Sequence, residues 1–490
     1  MKPEPPPVVR RLLGGGAFVM AAEILQLPST ILLAAYLSRK VGAEGLGLYL
    51  YAAAVVITVE VVVSTLFSRA TVQLVAETPS WQPVASLVLR WHVGVGVAAL
   101  LLLWAAVAPF AVPFGVPGLR QALLLFSLEI PLSALARTHT HVLVGLGRFR
   151  ERAASSAARW VGRLVLAVAF VEMGLGVRGA VLGAVGSTAL ELLVARRFVA
   201  PRWGLPAPEG LRRRLFGYSL PLFLHGASLQ LFNRLGLLLL VPLGASVAAA
   251  GLYGAADSLM RLRRILGQSL TPLVLTSLTE LLRDGARGEA RSLARAALRG
   301  ILLTVVPVAA VAGAAPQLMA WLFGDEFRAG GPLLAVLMWA APGFLVISIA
   351  AAVLVAAGKP GSTVRLTVPM VPLALVGYAL AVPRYGALGA AVVTSATVVV
   401  VAVACLGAVH RLWRVAPPLG TLARGALIAP MVYLGAGALP QEGWWLVLEL
   451  PLLAAAGLGL FLALGEASGE ELQRLRRWFG GAPAAAGVED

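Results

Sequence analysis

A single cysteine, Cys405, stands in 490 residues. It lies inside an apolar run, so the chain has no disulfide framework and no thiolate metal cluster. Acidic residues are few, 23 Asp and Glu against 40 Lys and Arg, and charged residues of both signs make up only 13%. A soluble globular protein is nearer a quarter charged, so an ordinary water-facing surface is excluded. Histidines number five, and none has a second His or a carboxylate pair at ligand spacing, so neither a metal site nor a cofactor is expected. Long polar links are also missing. A membrane glycosyltransferase or polymerase would need a folded aqueous active site, and no external link is long enough to hold one.

What is abundant is apolar: 59% of residues are hydrophobic, with mean hydropathy +0.86. Runs long enough to cross a bilayer recur from Leu12 to Leu464, which predicts an all-α polytopic membrane protein. About fourteen spans are expected, near 12–37, 47–72, 84–108, 120–145, 153–173, 179–200, 216–241, 247–281, 297–322, 332–357, 363–382, 387–410, 420–439 and 444–465. "MKPEPPPVVRR" precedes the first run, which is too long for a cleaved signal and lacks a cleavage site, so it reads as the first span.

The net charge of +17 falls in alternate links, as membrane topology requires and nucleic-acid binding does not. One set holds Arg10, Arg148, Arg150, Arg196, Arg197, Arg212–Arg214, Arg283–Arg299, Lys359 and Arg474–Arg477; the other holds only Arg39, Lys40, Arg120, Arg178, Arg328 and Arg384. The basic set marks the cytoplasmic side of a cell membrane and puts both termini there. Trp203, Trp321, Trp413, Trp444 and Trp445 fall near span ends, as an aromatic belt does. The tail "EELQRLRRWF" (470–479) reads as a short helix lying on the membrane surface.

An internal repeat runs through the chain. Gly47 and Tyr49 match Gly251 and Tyr253; Pro131 and "GR" (147–148) match Pro342 and "GK" (358–359); "VLGAV" (181–185) resembles "ALGAA" (387–391). Their shared order predicts two related six-helix lobes, 1–200 and 201–411, then two appended helices over 412–465 and a cytoplasmic tail over 466–490. An even number of spans per lobe makes the repeat parallel, about an axis along the membrane normal, and such transporters bind substrate between the lobes.

Polar residues inside the spans recur at helical spacing, which puts them on one face of each helix. Glu23 and Gln26 share a face in span 1, as do Glu60, Ser64 and Ser68 in span 2. Span 4 presents Glu129, Ser133, Arg137 and His141; span 5 presents Arg152, Ser156, Arg159 and Arg163. Span 7 presents Gln230, Asn233 and Arg234, and span 8 Asp257, Arg261, Arg264 and Gln268. An arginine at mid-bilayer costs roughly 2.5–3.5 kcal/mol, so these faces are expected to converge on a wet, basic cavity. Arg159 and Arg163 are read either as cavity residues or as snorkelling to lipid phosphates, and Arg90 and His92 as snorkelling. Asp257 and Arg261 are spaced for a structural ion pair. Guanidinium suits an anionic ligand such as phosphate. The candidate substrate-binding residues are therefore Arg137, Arg234, Arg261, Arg264, Gln230 and Asn233, with Glu23, Glu60, Glu129 and Asp257 for coupling or charge balance.

With these features the chain resembles the polysaccharide-biosynthesis flippases of the MATE-like (MOP) transporter superfamily, over residues 10–465. The resemblance rests on "YLSRKVGAEGLGLYLYAAAVV" (36–56), "LVGLGRFRERA" (143–153) and "WLFGDEFRAGGPLLAVL" (321–337). It implies a transporter rather than an enzyme, moving a polyprenyl-pyrophosphate-linked oligosaccharide from the inner to the outer leaflet, with arginines holding the pyrophosphate. The partners it implies are that lipid-linked glycan, the membrane lipids, and a polysaccharide polymerase or glycosyltransferases. Related lipid II flippases carry charged clusters in span 1, whereas this span offers Glu23 without an arginine. A MATE-type cation-coupled multidrug exporter is the alternative; it would make Glu23, Glu60 and Asp257 the essential residues.

Overall fold

The computed structural model describes residue 18 and residues 21–65, 67–111, 116, 118–206, 210, 211, 215, 229–438 and 443–466. Every regular element among them is helical, and these helices make up the fourteen expected spans. Spans 1 and 2 form one long helix, Gln26–Thr65, bent at Gly42 with φ 69° and ψ −175°, a conformation that side-chain-bearing residues rarely adopt. Span 3 is Gln82–Ala111, and span 4 joins Leu119–Ser127 to Glu129–Gly145. Spans 5 and 6 are Phe149–Phe170 and Gly176–Phe198. Span 7 is described over Leu229–Leu240. Its earlier part and the expected surface helix at 470–479 lie outside the described residues. Span 8 joins Val247–Met260 to Leu262–Arg283, and span 9 joins Arg287–Leu303 to Val305–Gly313. Span 10 joins Gly331–Met338 to Ala340–Ala356. Spans 11 and 12 occupy Pro360–Thr367 and Met370–Trp413, the latter bent at Gly386. Spans 13 and 14 are Leu419–Ala438 and Trp445–Ala463.

The repeat is written into the backbone. A proline has no N–H for the carbonyl four residues before it. Span 4 accordingly breaks after Ser127, four before Pro131, and span 10 after Met338, four before Pro342. Both restarted helices end alike: Gly147 and Gly358 take φ 70° and 73°. The next amides, Arg148 and Lys359, donate back to Leu143 O at 2.8 Å and Leu354 O at 2.9 Å, the Schellman closure of a helix C-terminus.

The other matched pair meets face to face. Spans 2 and 8 cross so closely that a Cβ on Gly47 would stand 2.0 Å from the Val247 carbonyl oxygen, and one on Gly251 2.2 Å from that of Ala43. Glycine at both positions is what lets the two helices touch. The main apolar core runs from Leu33 to Val415 through both sets of spans. Spans 13 and 14 pack separately on span 9 through Val306, Ala309, Ile428, Val432 and Phe461.

Two expected boundaries shift. Span 2 ends at Thr65, and Ser68–Glu77 is a separate helix too polar to continue it. Span 9 ends at Gly313 rather than near 322, where Pro316 has no N–H for the Ala312 carbonyl. Pro316 then opens a short helix, Ala315–Phe323.

Candidate functional site

Between the two sets of spans lies a cavity of about 250 Å³. Span 1 lines it with Glu23 and Gln26, span 2 with Tyr49 and Glu60, span 4 with Arg137, and span 5 with Arg159 and Arg163. Opposite stand Gln230, Asn233 and Arg234 of span 7, with Asp257 and Arg261 of span 8. The faces read from helical spacing therefore do converge. Glu129 does not reach the lining: it is fully buried behind it. The side chain of Arg264 lies outside the described residues, as does that of Gln268.

Glu129 is the first residue after the proline break in span 4, and the break turns it toward span 5. There Arg159 serves as the hub. Its Nη1 donates to Glu191 Oε2 at 3.1 Å; its Nη2 donates to Glu129 Oε1 at 2.9 Å and to Glu60 Oε1 at 3.4 Å. Thr188 Oγ1 adds a bond to Glu129 Oε1 at 2.7 Å. Arg137 Nη2 reaches Glu60 Oε1 only at 4.0 Å and keeps 29% of its side chain exposed. One turn further along span 5, Arg163 Nη2 donates to Tyr49 Oη at 3.0 Å. Two turns earlier, Arg152 holds Glu23 Oε1 at 3.1 Å, and Ser156 donates to the same oxygen at 3.0 Å. So span 1 gets its arginine from span 5.

The structure corrects several expectations. Arg159 does not snorkel; only 5% of its side chain is exposed, in the middle of three carboxylates. Arg163 lines the cavity as well. His92 is fully buried, with Nδ1 2.7 Å from Thr138 Oγ1, and Arg90 donates to Leu205 O at 2.9 Å. Asp257 and Arg261 form no ion pair within 4.0 Å among the described residues, and both face the cavity. Glu191 is a participant that spacing did not single out, since it is a lone carboxylate in an apolar helix.

Arginine outnumbers carboxylate on both walls. Among the described lining residues, Arg137, Arg159 and Arg163 stand with Glu23 and Glu60 on the side of spans 1–6, and Arg234 and Arg261 with Asp257 on the side of spans 7 and 8. Behind the first wall, Glu129 and Glu191 add two buried carboxylates around Arg159.

Away from the arginine-rich links stands a clasp. Arg39 Nη2 donates to Trp321 O at 2.6 Å, and the Ala43 amide to Glu326 Oε2 at 3.2 Å, tying the span 1–2 bend to the link between spans 9 and 10. Lys40 pairs with Glu172 at 2.8 Å on the turn between spans 5 and 6. Two of the three segments that carried the family resemblance thus bind each other.

A model of the family described as polysaccharide biosynthesis protein matches residues 36–330. No curated protein sequence matches the chain. Among solved structures, the lipid II flippase MurJ in an inward closed conformation is similar, with TM-score 0.72 at 14% identity over 92% of this chain and 98% of that one. An inward-facing multidrug resistance MATE family transporter of the MOP superfamily gives TM-score 0.67 at 14% identity, covering 85% and 96%. A MOP superfamily transporter from Pyrococcus furiosus, whose reverse pocket polarity is said to suggest a different function, gives 0.55 at 14%, covering 86% and 96%. These likenesses show a shared fold, a multi-span bundle of helices.

Proposed function

Because the chain belongs to the polysaccharide biosynthesis protein family, matched over residues 36–330, we propose that it flips polyprenyl-pyrophosphate-linked oligosaccharides from the inner to the outer leaflet of the cytoplasmic membrane. The observation that carries this reading is the guanidinium excess in the cavity between the two lobes. Arg234 and Arg261 from one wall and Arg137 from the other aim at one space, and planar forks of donors suit the pyrophosphate oxygens. Gln230 and Asn233 add neutral polar groups beside them, and Arg264 on the next turn of span 8 belongs to the same proposed set. Glu23, Glu60, Glu129 and Asp257 balance the charge. At about 250 Å³ the space is under the roughly 300–1,000 Å³ of drug-sized sites. It accepts the charged part of a headgroup, and a longer glycan extends toward the open end.

The basic links place both termini in the cytoplasm, so the cavity stands open inward and the clasp of Arg39, Lys40, Glu172 and Glu326 closes the outer side. Alternating access then consists of releasing that clasp while lobes 1–200 and 201–411 rock about the Gly47–Gly251 crossing. The helices of 412–465 ride on span 9. Export of a cationic drug is less well served. Glu23 and Glu60, which would receive the cation, are already held by Arg152 and Arg159.

Surface glycan in a deletion strain, complemented at matched protein levels, tests the reading. Arg234→Ala should insert and fold, since it removes an intramembrane charge of net cost. Loss of a charge-assisted contact of about 1.5–3 kcal/mol should weaken headgroup binding about ten- to a hundredfold. Arg234→Lys should rescue only part of the flipping, because an ammonium has no fork. Full glycan with Arg234→Ala would remove Arg234 from the site.

A further inference from the structure

One stretch of chain joins the two sets of spans, the link that leaves span 6 at Phe198 and leads to span 7. A link that merely tethers two moving halves would be slack, but this one is fastened down. Residues 199–206 belong to no helix, so their backbone groups must find partners elsewhere. They find them on span 3. Gln82 Oε1 accepts from the Arg202 amide at 3.0 Å, and Gln82 Nε2 donates to Ala200 O at 3.5 Å. One turn on, Ser86 Oγ accepts from the Leu205 amide at 3.0 Å. After one more turn, Arg90 Nη2 donates to Leu205 O at 2.9 Å. Arg148 Nη1 holds the near end by donating to Phe198 O at 2.8 Å.

Side chains four apart lie along one helix face, so Gln82, Ser86 and Arg90 form a polar rail. What the rail grips is backbone: the Arg202 and Trp203 side chains are exposed. Pro201 and Pro206 fix φ at two positions of the link, and Gly204, with φ 81°, turns the chain between the two bonded amides. The apolar residues of the link are held on the same side. Val199, Leu211 and Leu215 are buried in a cluster whose other buried members all lie between Phe67 and Ala195. The chain is therefore committed to the first set of spans as far as Leu215, although the repeat places that residue in the second lobe.

We infer that Gln82, Ser86 and Arg90 make this crossover a fixed part of the first lobe, so that movement of the second lobe is taken up beyond Leu215. The three are positioning residues. None lines the cavity, and they act by setting the point from which the second lobe swings. The swing rests on the alternating-access reading, but the fastening can be measured in the resting protein.

Spin labels separate the two. Cys405 is buried, so introduced cysteines take the label. Trp203→Cys is paired with Arg120→Cys in the first lobe or with Arg287→Cys in the second, all at exposed positions. In the full-length protein the 203–120 distance should be narrowly distributed and should stay unchanged when Arg39→Ala releases the clasp. The 203–287 distance should shift. Removing the rail with Gln82→Ala, Ser86→Ala and Arg90→Ala should broaden the 203–120 distribution. Amide exchange across 200–206 should rise at least about tenfold in that variant, because two bonded amides lose their acceptors. Surface glycan should fall with it, whereas Gln82→Glu with Arg90→Lys, which keep one acceptor and one donor, should retain most of the glycan. A broad wild-type 203–120 distance, or one that moves along with 203–287, overturns the fastening, and this holds even if the rail variant does not fold. A folded rail variant with a narrow 203–120 distance and unchanged exchange overturns it too. Full glycan in a rail variant whose crossover has come loose overturns the positioning role. If neither distance responds to Arg39→Ala, the rocking of the lobes is overturned, and the comparison of wild type with the rail variant still decides the fastening.

Discussion

Glu129 and Ala340 occupy the same place in the two halves of the chain, two residues before the proline that breaks the helix. Both are fully buried. The same spacing sets Arg159 against Met370 and Arg163 against Ala374, counted from the matched helix starts at Phe149 and Pro360. Even the paired tyrosines diverge: Tyr49 accepts from Arg163, while Tyr253 sits 3.1 Å from Thr394, which also meets Tyr378 at 2.8 Å. One backbone plan thus supports an ionic interior in the first half and an apolar one in the second. Glycine and proline set the shape in both, and only the first half carries charge at these three matched positions. Packing alone suffices for a half of this shape, so the charges of the first half serve something other than holding it together.

The sharpest way to break that comparison is to give the first half the residue of the second. Arg159→Met leaves Glu60, Glu129 and Glu191 buried without their shared cation. Removing one partner from a buried ionic cluster costs about 3–5 kcal/mol. Thermal unfolding in detergent should show a large loss, greater than any change at the helix crossing or at the membrane edge produces. Adding Glu60→Gln, Glu129→Ala and Glu191→Thr should recover most of it, since a well-packed neutral core is often as stable as a buried ion network. That neutral variant should nevertheless fail to restore surface glycan. A single Arg159→Met variant as stable as wild type would show that the cluster is not held by its hub.

A smaller effect is expected where the halves are alike. Gly47→Ala and Gly251→Ala each drive a Cβ against a backbone carbonyl, at 2.0 Å and 2.2 Å, and backbone cannot step aside as a side chain does. Overpacking of this kind costs about 1–3 kcal/mol. The two variants should behave alike in stability and in transport, because each separates the same pair of helices. Unequal effects would mean that the crossing is not the shared pivot of both halves.

These two contrasts also mark what the sequence made legible. The shape was readable because it depends on residues with backbone consequences. Pro131 and Pro342, Gly147 and Gly358, and Gly47 and Gly251 each impose a local geometry wherever they stand. The convergence of Glu60, Arg137, Arg234 and Asp257 was readable from helical spacing. Depth was not. Spacing places Arg152, Ser156, Arg159 and Arg163 on one face, but it is silent on whether that face meets lipid headgroups or three carboxylates. Glu191 was missed for a related reason: its partner Arg159 is 32 positions away, on a helix brought alongside only by the turn between spans 5 and 6. The end of span 9 was misplaced because the apolar run continues to Phe323, while the helix breaks at Ala314, just before Pro316.

An effect no larger is expected at a charge cluster that fastens the end of span 14. Glu466, just past span 14, accepts from Arg299 Nε at 2.7 Å, from Arg424 Nη1 at 2.6 Å and from Thr421. It joins Arg299 of span 9 and the start of span 13 to the end of span 14. Burial works to raise its carboxyl, but the bonds from Thr421, Arg299 and Arg424 prevail and hold it below the usual carboxylate range. A group lowered in the folded state contributes stability above its unfolded value, about pH 4.3, and loses that contribution as pH falls through the folded value. Glu466→Gln should therefore cost about 1–3 kcal/mol near neutral pH and progressively less in acid, where the wild-type side chain becomes neutral too. Flipping should persist, because the cluster does not line the cavity. Unfolding curves at neutral and acid pH, read beside surface glycan, check both halves of this expectation. A Glu466→Gln deficit that stays constant into acid would show that the lost interaction is steric rather than ionic. Lost glycan at retained stability would mean that the appended helices take part in transport.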